Sequence, residues 1–269
     1  MRPSFVNQMK PFLVSVVTDT DPDACICTMR DSEFEGAQAY DLHLRHLERK
    51  YHNYKDIRRI VLSTNKPVMT IYYRRQATQI SDAPGTSLTD DERAEAYLMS
   101  IKAGASAIDM MGDLFDPSPL EISRKPEIVE KQKRFIEQIH TEGGEVILSS
   151  HTWVVMDTAQ VLEHASELAS RGADMVKIAA KVESEDDLVE AFKTTIAMKR
   201  ELKVPFIHIC MGEHGKIHRI VGPMLGSSLV FCVNRYSLRS TKDQPQLRAT
   251  REVFNNFEWR PSRLVDEEL

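Results

Sequence analysis

The stretch Glu145–Val182 reads EVILSSHTWVV, MDTAQVLEHASELAS, RGADMVKIAAKV, and its reading decides the fold. Glu145–Leu148 is a short apolar strand that runs into small polar residues and delivers His151. Thr158–Ser170 spaces Val161, Leu162, Ala165 and Leu168 as one face of a helix. The turn Gly172-Ala173-Asp174 then opens a second apolar strand, Met175–Ala180, with Lys177 in its middle. Strand, helix and strand of these lengths make a parallel crossover unit. A lysine inside a buried strand is costly when charged, which is the first indication of chemistry.

Outward from this unit the alternation continues in both directions. Pro11–Thr18 is a first strand, Asp19–Asp31 reads as a polar loop with Asp-Pro turn signals, and Glu35–Ala39 as a short helix. Tyr40–Leu47 is a second strand, Glu48–Leu62 an amphipathic helix, and Pro67–Tyr73 a third strand. After a loop at Gln76–Leu88, a helix starts at Thr89 and is followed by a strand at Gly104–Met111 and a helix at Glu127–His140. Beyond the central unit come a helix at Glu185–Leu202, a strand at Pro205–Met211, a short helix around Ile217–Met224, a strand at Ser227–Val233 and a closing helix at Leu247–Asn256. Eight strands, mostly followed by helices and free of linker-like interruptions, specify an α/β fold, a single (β/α)8 TIM barrel over residues 1–269. Residues 1–10 read as a short N-terminal extension and 258–269 as a tail expected to fray. An open doubly wound sheet is the alternative, but no Gly-x-Gly-x-x-Gly follows the first strand.

The chain of 269 residues is 42% hydrophobic and 28% charged, the composition of a globular protein with a sizeable core. A formal net charge of −5 and the lack of a strong basic cluster argue against a nucleic-acid partner. No segment is apolar enough to span a bilayer, and the N-terminus lacks the core of a signal peptide, so the expected location is cytoplasmic with no membrane partner. Cys25, Cys27, Cys210 and Cys232 follow neither a zinc spacing nor a disulfide framework.

In such a barrel, function sits at the C-terminal ends of the strands. Desolvation of Lys177 would disfavour the ammonium and free the neutral amine that attacks a carbonyl. The alternative, an edge-strand lysine, is opposed by its apolar neighbours Met175-Val176 and Ile178-Ala179-Ala180. His151, just past a strand end, is a candidate acid/base, and adjacent strands would let the two side chains converge. Arg219 suits a carboxylate, or else pairs with Glu213 on the surface. Arg74 and Arg75 form a second, weaker anion-binding candidate. His43, His46, Asp109, His151 and His208 could be metal ligands, but His43 and His46 on a regular strand would face opposite sides, and a catalytic metal is not expected.

Three segments together resemble the type I 3-dehydroquinate dehydratases. VILSSHTW is similar to the family strand that carries the general acid/base, at His151; GADMVKIA to the strand with the Schiff-base lysine, at Lys177; and MGEHGKIHRIVGPMLGSSLVFC to the segment whose arginine binds the substrate carboxylate, at Arg219. The resemblance implies a hydro-lyase that dehydrates a carboxylated cyclic hydroxy ketone without a cofactor, as a homodimer. By the same resemblance Met211, Asp41, His43, Arg74 and Gln246 would line the substrate pocket. The first half departs from the family: DLHLR stands at strand two, the Glu-Gly-Gly after strand three is absent, His218 replaces a serine, and TKDQPQL stands where the lid motif is expected. These departures keep open a related lyase acting on another carboxylated β-hydroxy ketone, or a binding protein of the same fold.

Overall fold

The computed structural model describes residues 3–9, 11–74 and 88–257. Strands and helices alternate as β1 (Phe12–Val17), α1 (Pro22–Phe34), β2 (Ala39–His43), α2 (Tyr54–Val61), β3 (Val68–Ile71), α3 (Asp90–Ala103), β4 (Ala107–Met111) and α4 (Pro126–Thr141). The second half continues with β5 (Glu145–His151), α5 (Thr158–Ala169), β6 (Met175–Lys181), α6 (Glu185–Glu201), β7 (Phe206–Met211), α7 (His218–Leu225), β8 (Leu229–Cys232) and α8 (Leu247–Phe257). All strand pairs are parallel, in the order β7-β6-β5-β4-β3-β2-β1-β8. At the β7–β8 seam, Ser228 N–H donates to Phe206 O at 2.8 Å, and His208 N–H to Ser227 Oγ at 3.0 Å. This is the (β/α)8 barrel expected from the alternation.

Because both faces of every strand are covered, the strands are apolar nearly throughout, and parity alone decides which side chain faces inward. Val14, Ala39, Met69, Ala107, Ile147, Met175, Ile207 and Leu229 form an interior cluster. Residues of opposite parity, such as Ile108, Leu148, Val176 and Ile178, pack with the helices in a second cluster. Counting in twos from the interior set puts Asp109, His151 and Lys177 on the inward side of β4, β5 and β6.

The N-terminal extension is anchored at the opposite end of the barrel. Phe5 is fully buried, and its ring meets Phe12 edge-on at 5.4 Å. The Glu145 carboxylate, at the start of β5, accepts from Phe5 N at 2.7 Å and Val6 N at 3.0 Å, and from the Ser4 hydroxyl. The expected tail at 258–269 and most of the loop at Gln76–Leu88 lie outside the described residues.

Three local expectations are corrected. Asp19–Asp31 is not a loop: Asp21 is the N-cap of α1, accepting from Ala24 N, and Pro22 fills the first turn, where its missing N–H is harmless. The segment read as a helix at Glu35–Ala39 is the connection out of α1. The strand read at Tyr40–Leu47 ends at His43, where a 3-10 turn, Leu44–His46, takes over. That turn stacks His46 on His43 at 5.9 Å rather than sending it to the opposite face.

Phe5→Ala removes a fully buried ring from the floor. Urea unfolding should show a loss of about 3–5 kcal/mol; a loss under about 1 kcal/mol would mean the extension does not close the barrel.

Candidate active site

The inward side chains at the C-terminal ends of the strands surround a cavity of about 330 Å³, the size of a small-molecule site. His151, Lys177, Arg219, Met211, Asp41 and His43 all line it. Lys177 is 4% exposed, and its Nζ donates to Asp109 Oδ2 at 2.7 Å and lies 4.9 Å from the Phe231 ring centre. Burial opposes ionisation of Asp109, but the cationic Lys177 and the nearby His151 outweigh it and hold the carboxyl below the usual range. The Phe231 ring face adds to the stabilisation of a cation at Nζ.

His151 is held from behind by Glu121, a residue that the sequence reading does not single out. The Glu121 carboxylate is fully buried and accepts from the His151 backbone N–H at 2.8 Å, and Nδ1 lies 3.0 Å from the same oxygen. Tyr73 donates its hydroxyl to the other oxygen and packs its ring 4.6 Å from the imidazole. A proton on Nδ1 facing Glu121 leaves Nε2 as the nitrogen available for proton transfer. Burial works against the Glu121 anion, yet its contacts with His151 and Tyr73 hold its carboxyl below the usual range.

Glu121 reaches the site because the β4–α4 connection is wired to the strand ends. Its φ of +49° is rare for a side-chain-bearing residue. Ser150 Oγ donates to Leu120 O at 2.7 Å, and Ser123 N to Gly112 O at 3.1 Å. A Cβ on Gly112 would lie 2.7 Å from Glu121 O, so glycine there permits the close approach. Arg74 belongs to this scaffold. Its guanidinium binds Asp113 at 3.0 Å and Asp90 at 2.6 Å and is not part of the cavity lining, which corrects its expected place in the substrate pocket.

Arg219 stands at the start of α7, and its Nε is buried without a partner. Burial lowers its affinity for the proton, partly offset by Asp243. The alternative, a surface pair with Glu213, is not made, since Glu213 binds Lys216 at 2.6 Å. Opposite, Asp41 Oδ2 holds His43 Nε2 at 3.0 Å, while Asp41 Oδ1 is buried and unpartnered. His46, also in the lining, is pushed down to about 3 by burial and by the neighbouring His43, Arg45 and Arg239. The lid residue is two positions off: Gln246 is exposed and its backbone bridges to Val233, whereas Gln244 lines the cavity with a buried, unpartnered Oε1. Arg45, Arg239, Lys181, Lys177 and Arg219 outnumber Asp41 and Asp243 along the lining, which suits an anionic ligand.

Residues 13–258 match the family model described as type I 3-dehydroquinase. A 3-dehydroquinate dehydratase of Alkaliphilus oremlandii is 34% identical over 94 residues, 34% of this chain and 37% of the relative. One from Aromatoleum aromaticum is 22% identical over 191 residues, covering 69% of this chain and 68% of the relative. Among solved structures, a type I 3-dehydroquinate dehydratase from Clostridium difficile superposes with a TM-score of 0.76 at 16% identity, covering 95% of this chain and 98% of that one. A 3-dehydroquinate dehydratase from Geobacillus kaustophilus gives 0.74 at 16% identity, with 94% of each chain covered. At such identities the structural likeness is one of fold.

Glu121→Gln should lower stability near neutral pH by about 1–3 kcal/mol by weakening a buried charged contact. A depressed carboxyl stabilises the fold above its unfolded value, near 4.5, and loses that contribution as pH falls through its folded value. The gap between parent and variant in urea unfolding should therefore shrink as pH falls below about 4.5. A gap that is constant from pH 7 to pH 3 would show that the Glu121 charge does not matter.

Proposed function

We infer the reaction from one premise: this chain belongs to the type I 3-dehydroquinase family. It dehydrates 3-dehydroquinate to 3-dehydroshikimate through a Schiff base on Lys177. The observation that carries this reading is the inward Lys177, ion-paired to Asp109 and sharing a cavity with the Glu121-bound His151.

The Lys177 ammonium and the ring ketone condense to an iminium and one water. No net proton is gained or lost, and the positive charge stays at Nζ beside Asp109. The buried carboxylate therefore faces a cation before and after the step, and proton shuttling within it falls to a neighbouring base. His151 Nε2 takes the proton from the carbon next to the iminium, whose electron deficiency accepts the released pair. The same nitrogen returns a proton to the hydroxyl on the adjacent carbon as that group leaves as water. Hydrolysis of the iminium frees the enone and restores the lysine. The iminium is itself the electron sink, so the chemistry as proposed calls for no metal or organic cofactor.

Arg219 binds the substrate carboxylate, for which its place on the cavity wall and its buried, unpartnered Nε are suited. Met211 supports the ring, and the segment with Arg239, Thr241 and Gln244 covers it and excludes water. A homodimer and a cytoplasmic location complete the proposal, both carried by the family resemblance; no helix among the described residues is long and apolar enough to cross a membrane. The Asp41–His43 pair with the stacked His46 favours a second reading, the same Schiff-base chemistry on another carboxylated β-hydroxy ketone.

The test is formation of the conjugated enone from 3-dehydroquinate, followed by ultraviolet absorbance. Lys177→Met should abolish turnover, and His151→Ala should lower kcat by about 10²–10⁴. Arg219→Met should raise KM by roughly 10–100-fold, the loss of a charge-assisted contact. Turnover of a different keto acid, but not of 3-dehydroquinate, with the same dependence on Lys177 would favour the second reading. Full activity in Lys177→Met would end both.

A further inference from the structure

We propose that His208, Cys210 and His218 form a binding site for a borderline transition-metal ion, Zn²⁺ by chemical class, between the outer face of β7 and helix α7. The site is separate from the catalytic cavity and does not depend on the reaction proposed above. On β7 the inward side chains are Ile207, Ile209 and Met211, so His208 and Cys210, two residues apart, both point outward. His218 comes from the first turn of α7 and is fully buried. One donor atom from each of the three residues lies within 4.8 Å of the other two.

Two imidazoles and a thiol are a donor set that selects zinc-like ions. Bonds of about 2.0–2.3 Å in a tetrahedron place ligand atoms about 3.3–3.8 Å apart. The three side chains would have to converge by about 1 Å, which small side-chain rotations supply. The rings are already oriented. Thr195 Oγ1, on α6, lies 2.8 Å from His208 Nδ1 and 2.7 Å from His218 Nε2, and donates to Ala191 O at 2.9 Å. His218 stacks on Phe192 at 5.4 Å and meets His208 edge-on at 4.8 Å. With those two nitrogens held by Thr195, coordination would fall to His208 Nε2 and His218 Nδ1, and Thr195 would fix the ring orientations from behind.

Two further observations point to a ligand rather than a closed hydrogen-bond node. His218 Nδ1 is buried with no hydrogen-bond partner, so the three-residue cluster is left with unused donor capacity. A second cavity, about 150 Å³, is lined by His208 and Cys210 and by Asp157, Asp187 and Glu190, which outnumber the cationic Lys181, and this supplies an entry path that attracts cations. Binding displaces the thiol proton of Cys210 to solvent, one proton per ion. The ion would tie α7, and with it the neighbouring Arg219, to the sheet.

The test is to strip the full-length protein with a chelator, add Co²⁺ and record its absorption, then add Zn²⁺. One Co²⁺ per chain, a thiolate-to-cobalt charge-transfer band and displacement by Zn²⁺ are expected. The band should vanish in Cys210→Ser. In His218→Ser, which restores the residue type the related enzymes carry, affinity should fall by roughly a hundredfold or more, beyond what losing an outer partner costs. Cys27→Ser, at an exposed cysteine, should bind as the parent does. Circular dichroism checks that each variant is folded, and His218→Ser keeps the test decisive if Cys210→Ser is not. The absence of a charge-transfer band in the parent, or its loss in Cys27→Ser, or undiminished affinity in folded His218→Ser would overturn the assignment.

Discussion

The ion pair between Lys177 and Asp109 is the constraint on which the rest of the site depends. Both groups are buried, and their Nζ–Oδ2 contact is 2.7 Å. Either charge alone in that position would destabilise the fold by several kcal/mol, about 3–5 by comparison with broken buried pairs. A barrel interior made only of apolar layers would avoid that penalty, and the lower layer here, with Ala107, Ile147 and Met175, does so. The pair sits one inward step above that layer, where the cavity begins. Its retention there is what separates a reactive mouth from a merely packed barrel.

The second constraint is how the histidine is aimed. Glu121 arrives from an irregular connection, not from a strand, and three separate attachments hold that connection in place: the Arg74 clamp on Asp113 and Asp90, the Ser150–Leu120 bond and the close approach over Gly112. Arg74 thus contributes to the site through another residue's position. A lysine at 74 could not bridge both carboxylates with a planar fork. Chemistry at His151 therefore draws on charges well outside the cavity.

Much of this could be read in the chain beforehand, for identifiable reasons. Lys177 and His151 break otherwise apolar strands at the parity that faces inward, and β5 and β6 are neighbours, so strand periodicity brings them together. Glu121 carried no such signal, because PSPLEIS has no period and its φ of +49° belongs to tertiary contacts. It lies ten residues past the end of β4, too far for strand periodicity to place it. Arg74 and Gln246 were misplaced because side-chain partners and the Val233–Gln246 bridge, neither visible in sequence, set their directions. Helix α1 was legible but misread: Asp21-Pro22 is both a turn signal and an N-cap followed by a first-turn proline, and only its buried residues Cys25 and Met29, four apart, decide between them.

The central claim is that Lys177 is the nucleophile, and borohydride reduction of the protein in the presence of 3-dehydroquinate tests it most directly. Intact mass followed by peptide mass should find one reduced adduct, on the peptide carrying Lys177, with loss of water in the bound species. An adduct on another lysine, or none with 3-dehydroquinate or any other carboxylated keto compound, would contradict the account.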